Sequence, residues 1–252
     1  MKLNQILPIT FNKKLFLGLY ISFIVATAVG NLTYCLGGYI AGKCLGYNLQ
    51  IHYAYIDHPN DCDAMKPLTD SIKTIREKYP DEIKNKLDFP EKEKYESINN
   101  IIHQRIKDGY YVGSAEALTP ILIGTIGFIL LIIYRRRFKD KTSLSFWQWA
   151  LVFKSLFWLR ESFNLTMGLI FITFSTKNYK LIQFLDYSVN RLLGLPDYTF
   201  PIIAGCIGLI ILAIVVFKFI PKNQRLTFLA SGLAGGMSGA YIWLHLGKFI
   251  LP

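Results

Sequence analysis

The sequence predicts an all-α polytopic membrane bundle of about five transmembrane helices, with one extracytoplasmic α(+β) insertion. Three observations lead there. Hydrophobic residues fill 52% of the 252 positions, and several apolar runs exceed the roughly 20 residues that cross a hydrocarbon core about 30 Å thick. A single long polar stretch, 43–112, interrupts those runs. The surplus basic residues gather at the ends of the runs: Lys2, Lys13 and Lys14; Arg135, Arg136, Arg137, Lys139 and Lys141; Lys218, Lys222 and Arg225.

That distribution decides what the +11 net charge means. The polar stretch 43–112 carries 11 basic and 12 acidic residues and is close to neutral. The excess therefore belongs to the helix ends, as the positive-inside rule expects. It reports topology, and nucleic acid is excluded as a partner.

Taken in order, residues 1–42 are a basic leader and a first span from about Leu15 to Gly42. The run is too long for a cleaved signal peptide and is expected to be retained. It also exceeds what a bilayer needs, so it must tilt, kink near Gly30 or extend beyond the membrane.

Residues 43–112 form a soluble insertion. Leu49, Ile51, Tyr53 and Tyr55 alternate as in a strand or hairpin. Ile72, Ile75 and Tyr79 recur at helical spacing until Pro80. A second helix is marked by a cap near Asp88, Pro90, then Glu91 and Glu93 at its positive end. Ile98, Ile101, Ile102 and Ile106 form its apolar stripe, and Gly109 follows its last turn.

Residues 113–252 supply helices two to five, at about 113–134, 147–174, 200–220 and 226–251. The third block contains Lys154, Arg160 and Glu161, and a polar connector at 175–198 contains Asp186 and Arg191. Five crossings with a cytoplasmic amino end put all three basic clusters on the inner face of a cell membrane. A hairpin in the third block would place the 218–225 cluster on the wrong side.

Glycines mark the expected packing faces. Gly38, Gly42 and Gly46 recur every fourth residue in the first helix; Gly232, Gly236 and Gly239, with Gly235, form overlapping GxxxG pairs in the last. Such faces let backbones approach closely, within the monomer or between copies. The four cysteines show no zinc-type spacing. Cys35 and Cys206 lie in apolar runs, while Cys44 and Cys62 flank the start of the insertion and are placed to pair in an oxidising compartment.

The stretch YCLGGYIAGKCLG at 34–46 carries a resemblance. It resembles the first core helix of site-2 protease-like intramembrane zinc metalloproteases, in which HExxH is followed by small residues and a leucine-glycine pair. Leu36, Gly37, Ala41, Leu45 and Gly46 keep that frame. Tyr34, Cys35 and Gly38 stand where the family has His, Glu and His. The family follows this helix with a partly β insertion and a glycine-led re-entry. Here 43–112 is followed by Gly113, Ser114 and a stretch to Thr119 that lacks the family's proline. The family's third ligand is an Asp in a Leu-Asp-Gly setting; the nearest match is Leu185-Asp186-Tyr187, without the glycine.

The chemistry can be argued without the family. Hydrolytic zinc needs three protein ligands and an open position, with a carboxylate as general base. Tyr34 and Gly38 supply no imidazole, and His52, His58, His103 and His245 form no i, i+4 ligand pair in an apolar run. No catalytic residue, metal or cofactor is expected. Intramembrane charges are costly and pair with something. Arg160, with Asn164 one turn on, Glu161, Glu116 and Asp186 are therefore expected to meet Tyr34 and Cys35 in a polar cleft, or to form a buried cluster that fixes helix register.

The resemblance implies an inactive relative that binds a transmembrane or peptide partner without cleaving it. Membrane lipid and a second copy of the chain are the other expected partners. The alternative is a structural, transport-related or immunity-type membrane subunit. A third reading is a hydrolase with unconventional ligands at Cys35, Glu116 and Asp186.

Overall fold

The computed structural model describes residues 10–139, 141–174 and 187–251. The described residues are helical and contain no strand. Helix α1 spans Lys13–Cys44, with the Asn12 side chain accepting from the Leu15 amide at its start. Leu17, Ile21, Val25, Val29, Leu32, Leu36 and Ile40 are all exposed along it. Their steps of three and four keep them on one face, and at 1.5 Å per residue the stripe runs about 35 Å, close to the thickness of a hydrocarbon core. The helix is unbroken at Gly30, where no neighbour approaches.

The insert holds α2 (Cys62–Lys78) and the short α3 (Pro80–Lys84). Helix α4 then runs unbroken from Lys92 to Ile133. The expected insert helix and second span are thus one element, and Gly109 does not end it. Gly109 and Gly113 are instead positions of close approach, to Asn60 and Ser188. A stop signal loses to tertiary contact when the bare face is needed for packing.

The strand or hairpin expected near 47–56 is reduced to a single antiparallel bridge between Ile51 and Ile56. With no further strand to extend the ladder, this loop docks on other elements. The Tyr53 amide donates to the Leu251 carbonyl (3.1 Å), and Trp243 Nε1 donates to the Tyr53 carbonyl (2.6 Å). Leu49 and Ile56 bury beneath it.

The third apolar block is split. Helix α5 (Phe146–Ser155) passes through a 3-10 turn (Leu156–Trp158) into α6 (Leu159–Phe174). After α7 (Ser188–Leu193) come α8 (Thr199–Ile214), which continues as a π turn (Val215–Phe219), and α9 (Arg225–Ile250). Among the described residues, three helices are long and apolar enough to cross a membrane: α1, α4 and α8 with its π turn. This is fewer than the five expected. The 3-10 turn shortens α5 and α6, and the glycines and polar residues of α9 dilute its hydropathy.

Helix α1 lies between α9 and α4, α5 packs on α4, and α6 on α8. A side chain at Gly235 would meet the Tyr20 carbonyl at 2.6 Å, and one at Gly239 the Ile24 Cα at 2.9 Å. The glycine face of α9 therefore packs on α1 within the chain, and Gly232 closes on the Phe23 ring. Two expected packing glycines do not pack. Gly236 faces open space, and Gly46, with φ +85°, ends α1 in the left-handed conformation that suits glycine.

The three basic segments share one end of the bundle. Thr10 donates to the Asn223 carbonyl, while Asn223 and Gln224 donate to the Thr142 carbonyl. The main core lies near this end, around Leu19, Leu131, Phe138, Val215, Phe219 and Phe228. A smaller core of Cys35, Leu49, Ile56 and Val112 lies at the insert end.

Candidate functional site

The small core is where the 34–38 frame meets the rest of the chain. Gly37 and Gly38 face α4 so closely that a methyl group at Gly37 would lie 2.5 Å from the Ala115 carbonyl. One at Gly38 would lie 2.5 Å from Glu116 Cγ and 2.7 Å from Ile56 Cδ1. Gly42 is closed by Leu49 in the same way. The bare face of α1 thus seats Glu116 against the motif.

Glu116 is 3% exposed, and such a carboxylate needs a partner. His58, from the loop before α2, supplies one: its Nε2 lies 3.1 Å from Glu116 Oε2. On the other side α6 brings Arg160 and Glu161. The Arg160 guanidinium stacks 3.4 Å from the centre of the Tyr34 ring, and its Nη1 lies 3.3 Å from Glu161 Oε1. Glu161 is 2% exposed. The two neighbours do therefore pair, although adjacent helical residues diverge by about 100°. Arginine's length lets its fork swing back while its face covers Tyr34. Cys35, next to Tyr34 on α1, is fully buried against Leu49, Ile56 and Val112.

Of the residues expected here, Tyr34, Cys35, Gly38, Glu116, Arg160 and Glu161 come together. Asn164 is half-buried on α6, one turn beyond Arg160. Asp186 lies outside the described residues. His58 was not foreseen. Among the histidines, His52 bonds Asp57 (3.1 Å), His103 is exposed and His245 turns to the Tyr241 carbonyl. The one available signal for His58 was its place two residues beyond the apolar Ile56, and nothing local said that this loop folds back onto α4. Cys44 and Cys62 are both free and exposed.

Chemically, the cluster holds two buried carboxylates, one beside an imidazole and one beside a guanidinium, around an aromatic ring and a thiol. Among the described residues no group of three or more His, Cys, Asp or Glu side chains is placed to hold a metal ion.

The His58 pair carries a pH dependence. Burial, the largest influence, favours the neutral ring, but the Glu116 hydrogen bond and charge, with Asp61 and Asp57 behind, hold its pKa above the ordinary value. A raised folded-state pKa contributes stability that is fully present below the unfolded value near 6.5 and is lost as pH rises through the folded one. We expect the melting temperature in detergent to fall as pH climbs above that value, and His58→Gln to flatten the fall. An unchanged slope in His58→Gln would show that the pair does not couple to folding.

Compared with known proteins, the chain matches no family model, no curated protein and no solved structure.

Proposed function

We propose that the protein is a multi-pass membrane protein that binds a transmembrane or peptide partner without cleaving it, through a degenerate site-2 protease-like site. One observation supports this reading above the others. Tyr34, Cys35 and Gly38, the positions at which the resembled family carries its two histidines and its glutamate, face Glu116, His58 and Arg160 from three other segments. A helix that served only as a lipid-facing wall would not gather two carboxylates, a guanidinium and an imidazole at one level, because each is costly to bury. The cluster could grip the polar backbone or a charged side chain of an extended segment, whereas a hydrolytic water has no general base at position 35.

The close filling of Gly37, Gly38 and Gly42 favours a second reading, in which the cluster only fixes the register of α1 against α4 and α6. Co-purification from native membranes separates the two. Arg160→Lys keeps the charge but loses the planar face on Tyr34. The binding reading expects this variant to fold and to lose its bound polypeptide. Retention of every associated polypeptide in a folded Arg160→Lys protein sinks it.

The topology we propose has five crossings, with the basic end in the cytoplasm and the insert outside the cell membrane. Its support is the gathering of the three basic segments at one end. Single cysteines at Lys94 and Lys139, in a background with the native cysteines replaced, should be labelled from opposite sides of the membrane. Labelling of both from the same side overturns this arrangement.

A further inference from the structure

The end of the bundle opposite the polar cluster holds a second constellation. Helix α4 ends at Tyr134 and turns through Arg135–Arg137. Between this turn and the start of α5 lies a cavity of about 680 Å³, lined by Tyr134, Arg136, Arg137, Lys141, Trp147 and Gln148 among others. Its backbone is held from several directions. Phe138 is buried edge-on against Phe219, with ring centres 5.4 Å apart. Gln148 Nε2 donates to the Arg137 carbonyl (2.7 Å), while its Oε1 accepts from the Ser145 amide (2.8 Å). The turn and the helix start are thereby tied to each other.

The charge there is one-sided. Residues 134–151 contain five basic side chains and one acid, Asp140. Among the described residues, no ion pair engages Arg136, Arg137 or Lys141. The loop carrying Lys218 and Lys222 is bonded to the same segment through Thr142 and adds to the field. A polar rim of this kind could take any anion. The walls are what narrow the choice. Trp147 and Phe146 are 77% and 78% exposed, and the exposed Ile129, Ile132 and Ile133 line the last turns of α4 just above the cations. Cations at the foot of an exposed apolar wall, with a tryptophan at the junction, match a molecule whose phosphate and acyl chain are joined.

We propose that this cavity is a discrete binding site for one anionic phospholipid, its headgroup phosphate held by Arg136, Arg137 and Lys141 and its chains lying on the apolar end of α4 beside Trp147. Guanidinium groups suit the phosphate because they meet two of its oxygens at once. The site is independent of the polar cluster at the insert end.

The test is native mass spectrometry of the full chain in nonionic detergent, titrated separately with phosphatidylglycerol, phosphatidylcholine and inorganic phosphate. We expect one phosphatidylglycerol to be retained at saturation, with phosphatidylcholine not retained and inorganic phosphate unable to displace the lipid at matched concentration. The triple variant Arg136→Gln, Arg137→Gln, Lys141→Gln should weaken retention by at least about tenfold, as expected for losing charge-assisted phosphate contacts. Lys73→Gln, on the insert, should not. Equal retention of the two lipids, displacement by inorganic phosphate, or undiminished retention in a folded triple variant would each overturn the proposal. Should the triple variant fail to fold, the three wild-type titrations still decide it.

Discussion

Replacing Arg160 by alanine is expected to lower the stability of the folded chain by about 3 kcal/mol or more, the usual cost of stripping one partner from a buried ion pair. Two losses combine. Glu161 is 2% exposed and would lose the cation beside it. The Tyr34 ring would lose a guanidinium seated 3.4 Å from its centre, a contact worth roughly 0.5–2 kcal/mol where water is partly excluded. Arg160 itself keeps about a fifth of its side chain exposed, which holds the total toward the lower end. The double variant Arg160→Ala, Glu161→Gln should recover part of the loss, because a neutral amide then replaces the buried carboxylate beside the deleted cation. Detergent unfolding of the four proteins in the cycle measures this directly. An Arg160→Ala protein as stable as Tyr34→Phe, which removes a hydroxyl worth about 1 kcal/mol, would mean that Arg160 is solvated and the cluster loose.

Leucine at Gly37 or Gly38 should be comparably damaging, for a steric reason. At Gly37 the obstruction includes the Ala115 carbonyl, which can move only if α1 and α4 separate. At Gly38 it is the Glu116 side chain, already fixed by His58. Overpacking typically costs about 1–3 kcal/mol, and a backbone obstruction belongs at the upper end. Gly30→Leu and Gly236→Leu are the internal controls. Both glycines face open space, so both variants should melt within a few degrees of the parent protein. Equal destabilisation at all four positions would mean that helix propensity, not the crossing of α1 and α4, governs the effect.

Part of this arrangement was legible before any coordinates. The run of apolar residues from Leu15 to Gly42, the basic clusters at helix ends and the glycine pair of the last helix each follow from a local rule, and each has a structural counterpart in α1, the shared basic end and the Gly235–Gly239 seam. The gathering of Tyr34, Cys35, Glu116 and Arg160 was also readable, since isolated charges in apolar helices must find one another.

What escaped was decided by long-range contact. Gly109 reads as a helix stop, yet Asn60 needs its bare surface and α4 continues. Tyr47 to Ile56 reads as a strand or hairpin; it closes on itself through one antiparallel bridge, Ile51 to Ile56, and otherwise docks on the end of α9 and the small core. The five apolar runs were readable, but run length alone does not show that a 3-10 turn at Leu156–Trp158 divides the third, or that among the described residues three single helices are long and apolar enough to cross a membrane. His58 could not be found from its neighbours, because its role depends on a loop returning to a glutamate 58 residues away.

The claim on which the functional proposal rests is that position 34 faces a bound polypeptide. Its most direct test is a photoreactive phenylalanine analogue at Tyr34, irradiated in native membranes, with the adducts mapped by mass spectrometry. The proposal predicts an adduct to a segment of another polypeptide that is lost when Arg160→Lys is combined with the probe. Adducts only to lipid, or only to this chain's own α4 and α6, would contradict it.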